Sequence, residues 1–106
     1  MPESLPDADP RKPPSVAFAK SYLARYGVPA DQTSGLTLDA VMILDAAAKT
    51  ISGPLTRDNL RDAIETVRIC GADGCRVGTA ADHRGLTKDS LVLMQVQNGH
   101  WTIVQP

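Results

Sequence analysis

The residues best equipped for chemistry in this 106-residue chain are Cys70, Cys75, His83 and His100, with Arg84 beside His83. Cys70 and Cys75 enclose Gly71-Ala72-Asp73-Gly74, and the two glycines give the segment enough freedom for the sulfurs to meet. In an exported protein the pair would be a local disulfide. A zinc site shared with His83 and His100 and a redox dithiol are the two other chemistries open to it. The histidines fall outside the usual finger spacing, and a low-pKa thiol wants C-x-x-C at a helix N-terminus. Cys70 and Cys75 therefore stand first as a disulfide candidate, with about 2 kcal/mol of stabilisation for so short a loop.

His83 and Arg84 have the types of a base and an anion clamp, yet no Ser or Cys nucleophile with an orienting third group accompanies them. The plainer reading is a loop in which Asp82, His83 and Arg84 hydrogen-bond to neighbouring backbone. Gly71 to Gly74 is too short, and follows a helix, so a nucleotide or phosphate loop fails its own context. No catalytic residue, metal or cofactor is expected, and an enzyme is the reading of lowest weight. Thr33-Ser34-Gly35-Leu36-Thr37 leads into a helix, whose free N–H groups suit a carboxylate. Thr33, Ser34 and Thr37 are thus candidate ligand-binding residues, with a simple N-cap role for Ser34 or Thr37 as the competing reading.

The elements that must position these groups read as three helices followed by antiparallel strands, an α+β order. Residues 1–14 hold five of the eight prolines and read as a tail or linker. Ser15 is a plausible N-cap for a helix carrying Val16, Ala19, Leu23 and Tyr26, closed by Gly27. After the polar stretch Asp31 to Gly35, a second helix runs from about Thr37 to Lys49, apolar on most faces and expected to be buried, with Asp39, Asp45 and Lys49 on its wetter side. Thr56 caps a third, from Arg57 to about Arg68. Asn98-Gly99 between Leu91–Val96 and His100–Val104 is a type I′ hairpin signal. It pairs Gln97 with His100, Val96 with Trp101, Gln95 with Thr102 and Met94 with Ile103. Val92, Met94, Val96, Trp101 and Ile103 then share one apolar face that needs a cover.

Composition narrows the function classes. Lys and Arg number 11 against 12 Asp and Glu, a net charge of -1, so there is no basic field for nucleic acid. The longest apolar run, Ala40 to Leu44, is far short of the ~18 residues of a membrane span. The opening Met1-Pro2-Glu3-Ser4 has neither the basic nor the apolar region of an export signal.

The succession of an Arg25-Tyr26-Gly27 helix ending, a helix opening Leu38-Asp39-Ala40-Val41, Asp82-His83-Arg84-Gly85-Leu86 and the Val96-Gln97-Asn98-Gly99-His100-Trp101 turn resembles a known family. It looks like the C-terminal third of type I periplasmic solute-binding proteins, the branched-chain amino-acid receptors of ABC importers. The family's second helix usually opens Gly-Tyr-Asp-Ala, and Leu38 stands here in place of the tyrosine. The resemblance implies a fragment of a two-lobe α/β fold, with residues 15–69 in the first lobe and 70–106 in the second. It further implies a periplasmic parent that captures an amino acid or related small carboxylate for an ABC transporter permease, and it places the Thr33 to Thr37 loop facing the cleft. Without the family's other strands, the fragment is expected to associate as a homodimer. The rival reading is a self-standing small α+β interaction module.

Overall fold

The computed structural model describes residues 5–86 and 88–104. Met1 to Ser4, part of the expected tail, lie outside the described residues. Helix α1 (Lys12–Tyr26) begins earlier than Ser15, because Pro13 and Pro14 sit in the first turn, where a helix needs no N–H donor. Its entry is fixed by Asp9, which accepts hydrogen bonds from the Arg11 backbone (2.9 Å) and guanidinium (2.9 Å). Ser15 is consequently inside the helix and not its cap; its N–H bonds to the Arg11 carbonyl. The helix stops at Gly27, whose φ of 71° provides the left-handed turn that closes the last carbonyls.

Helix α2 (Gln32–Thr50) starts before Thr37. The polar stretch expected to be loop is a capping box: Asp31 accepts from the Ser34 N–H at 2.8 Å, while Ser34 Oγ accepts from the Asp31 N–H at 2.9 Å. Helix α3 (Arg57–Ile64) has the expected Thr56 cap, paired reciprocally with Asn59. It ends before Arg68, since Thr66 and Val67 turn back onto the carbonyls of Ala63 and Ile64 and the chain enters a strand.

Strands β1 (Arg68–Cys70) and β2 (Cys75–Val77) form one antiparallel hairpin in which Cys70 faces Cys75. A 3₁₀ turn (Lys88–Ser90) leads to the second hairpin, β3 (Met94–Gln97) with β4 (His100–Ile103). Its register is the one derived from Asn98-Gly99, with Val96 opposite Trp101 and Met94 opposite Ile103. Both turn residues are left-handed, with φ of 51° and 78°. Three helices followed by antiparallel hairpins make the α+β order expected from the sequence.

Burial differs from the sequence expectation. Among the described residues the buried apolar side chains are Ala47 and Val67, whereas Val41 is 58% exposed and Trp101 63%. Helix α2 therefore does not find partners on all its apolar sides within this chain. Asp39, which the sequence places on the wetter side of α2, is instead fully buried. The physical reason is that Gly35 and Asp39, at i,i+4 spacing on one face of α2, meet the β1–β2 turn.

Candidate functional site

The turn between β1 and β2 is held from three sides. Cys70 and Cys75 are joined by a disulfide across opposite strand positions, and Gly71 N–H bonds to the Gly74 carbonyl at 2.9 Å. The loop so closed turns its backbone N–H groups onto α2: Ala72 and Asp73 donate to the two carboxylate oxygens of Asp39 at 2.6 and 3.1 Å. From the other side, the nearly buried Ser15 of α1 donates its hydroxyl to the Ala72 carbonyl at 2.6 Å. A carboxylate out of water is tolerable only when its lone pairs are met by donors, and here the loop backbone supplies them. A Cβ at Gly71 would fall on the Asp39 carboxylate, so glycine is required there for close approach.

Beside this loop lies a cleft of about 540 Å³, walled by α1, the start of α2, the loop and the second hairpin. Phe18, Val92, Met94 and Ile103 give it apolar walls, while Arg11, Asp31, Asp73 and Ser90 supply polar groups. Arg11 is already engaged, holding Asp9 and donating to the Ser90 carbonyl at 3.0 Å. Asp31 is held below the usual carboxylate range, first by the Ser34 backbone N–H and then by the Ser34 side chain. Asp73 is pushed the other way, by burial first and by the charge of Asp39 second, against the pull of Arg76.

The candidate residues Thr33, Ser34 and Thr37 lie in the opening turns of α2, the segment that contributes Asp31, Gln32 and Gly35 to the cleft wall. Two of the hydroxyls have local work: Ser34 completes the capping box and Thr37 donates to the Thr33 carbonyl at 2.9 Å. His83 is apart from the cysteines, sharing a hydrogen bond with Glu65 at 3.0 Å, and His100 is at the tip of the second hairpin. Among the described residues no three His, Cys, Asp or Glu side chains gather as a metal site. Asp82 does brace its own loop, accepting from the Arg84 guanidinium and then its backbone N–H, which hold its carboxyl far below the usual range.

Sequence reasoning missed Asp39 and Ser15. A signal for Asp39 was present: an acid in line with a glycine four residues before it and an alanine eight after is on a close-packed stripe, where an acid must have a partner. Ser15 carried none, because its partner is a backbone carbonyl far along the chain.

No family model matches the sequence, and no curated protein matches it. Solved structures do. The chain is similar to an extracellular ligand-binding receptor from Rhodopseudomonas palustris, at 31% identity and a TM-score of 0.75 over 98% of this chain. It is likewise similar to an extracellular ligand-binding receptor from Rhodopseudomonas palustris HaA2, at 30% identity and a TM-score of 0.76. A third Rhodopseudomonas palustris chain superposes with a TM-score of 0.78 at 28% identity. In each case the chain spans 31% of the length of the protein it matches.

Proposed function

We propose that this chain serves as part of an extracellular solute-binding receptor, contributing to both lobes of a cleft that closes on a small ligand. The observation that carries the reading is the superposition of 98% of the chain on receptor chains about three times its length. The exposed apolar residues on α2 and the second hairpin support it, because the remainder of such a receptor would cover them. In this reading residues 15–69 belong to the first lobe and 70–106 to the second, and the ligand is an amino acid or related small carboxylate. The parent is periplasmic and delivers its ligand to an ABC transporter permease, with no covalent chemistry. In the same reading Thr33, Ser34 and Thr37, none of which lines the cleft of the isolated chain, offer the α2 N-terminus to the ligand's polar group. By itself the chain pairs with a second copy through the same exposed faces.

A two-lobe cleft buries its ligand between surfaces that this chain shares with the rest of the receptor. Calorimetric titration of the 106-residue chain with leucine, valine and aromatic carboxylates is therefore expected to show no saturable heat. Saturable micromolar binding would overturn the proposal and favour a self-standing module.

A further inference from the structure

The Cys70–Cys75 bond and the hydrogen bonds to the Asp39 carboxylate meet on one four-residue loop. We infer that they form a redox-sensitive latch, in which the disulfide keeps the Gly71–Gly74 loop docked on Asp39 and its reduction releases the loop from α1 and α2. The bond joins opposite positions at the end of β1 and β2, so the intervening residues are confined to a tight turn. That confinement brings the Ala72 and Asp73 N–H groups to bear on two oxygens of one fully buried carboxylate. With glycines at both ends of the turn, the loop has wide conformational freedom once the sulfur link is gone. Undocking also lets Asp39 regain water, which a buried carboxylate otherwise lacks.

The chemistry requires a dithiol reductant. Its two thiols become a disulfide as the Cys70–Cys75 bond breaks, two electrons pass to the cysteine sulfurs, and the dithiol's two protons end on the Cys70 and Cys75 thiols. Cys70 and Cys75 are both half-buried and not enclosed in the core. Ala72 and Asp73 are also part of the cleft wall, so the released loop takes one wall of the cleft with it. The latch is a property of the loop and its two helices and holds whether or not the receptor reading does.

The test is amide hydrogen exchange on the whole chain, resolved by residue, before and after dithiothreitol, with helical circular dichroism recorded in parallel. Reduction is expected to speed exchange at Ala72 and Asp73 by at least about tenfold, the effect of losing hydrogen bonds to a charged group, with the helical signal kept. Asp39→Asn with the disulfide intact is expected to speed the same two amides. C70S/C75S, untreated, is expected to reproduce the reduced pattern and separates loss of the bond from other effects of the reagent. Unchanged protection at both amides on reduction would overturn the latch, since Asp39 alone would then hold the loop. Loss of the helical signal on reduction would also overturn it, because the bond would then be a staple of the entire fold.

Discussion

Replacing Asp39 by alanine would leave the N–H groups of Ala72 and Asp73 facing an apolar gap, with the Ser15 hydroxyl still holding the Ala72 carbonyl. Hydrogen bonds to a charged acceptor contribute about 1.5 to 3 kcal/mol, so Asp39→Ala is expected to destabilise the chain by about 3 kcal/mol in urea unfolding. Asp73 should behave oppositely. Its carboxyl titrates above the ordinary value of 3.8 because burial, and then the charge of Asp39, disfavour ionisation in the folded chain. A group that holds its proton more tightly when folded makes stability fall as pH rises from its unfolded value through its folded one. Asp73→Asn removes that fall: its stability relative to the parent should be greater at pH 7 than at pH 3, as read by urea unfolding at the two pH values. A constant difference between the two proteins would contradict the assignment.

At the scale of elements, the second hairpin depends on two consecutive left-handed residues, Asn98 and Gly99. Alanine at Gly99 must take up a φ near 78° that L-residues resist, at about 1 to 2 kcal/mol. Gly99→Ala is therefore expected to weaken the hairpin, visible as lost amide protection in β3 and β4, while Asn98→Gly leaves protection unchanged. This hairpin was legible to the last pair because its register is set by two adjacent residues and a period of two. The cap of α3 was legible for the same local reason. The start of α2 was not: Asp31, Gln32, Thr33 and Ser34 are polar and read as loop, although Asp31 and Ser34 have the spacing of a reciprocal cap. The partners of Asp39 were still less accessible, since they lie more than thirty residues along the chain, in a turn that no local pattern ties to α2. The cysteine pair shows the intermediate case. Its spacing allowed a bond, and the strand pairing that places Cys70 opposite Cys75 supplies the reason one forms.

The whole molecule is extended. Its radius of gyration is 15.9 Å, against about 13 Å for a compact chain of this length, and its longest dimension is 54 Å. Apolar side chains that a closed core would hold, Val41 and Leu44 on α2 and Val96 and Trp101 on the hairpin, are open to solvent. Because Trp101 is 63% exposed, its removal should cost the isolated fold little, within about 0.5 kcal/mol, in contrast to a core tryptophan. Trp101→Ala should instead weaken association between copies: sedimentation at increasing concentration is expected to show a dimer for the parent chain and a shift toward monomer for the variant. A parent chain that remains monomeric at high micromolar concentration would remove the homodimer from the account.

The most direct measurement replaces the matching third of a Rhodopseudomonas palustris ligand-binding receptor with these 106 residues and titrates the hybrid with the receptor's own ligand by calorimetry. The hybrid is expected to be a folded monomer that binds saturably, because the host supplies the lobes that cover α2 and the second hairpin. A hybrid that folds, shown by a cooperative unfolding transition, yet gives no binding heat would contradict the claim that this chain contributes to a ligand-capturing cleft.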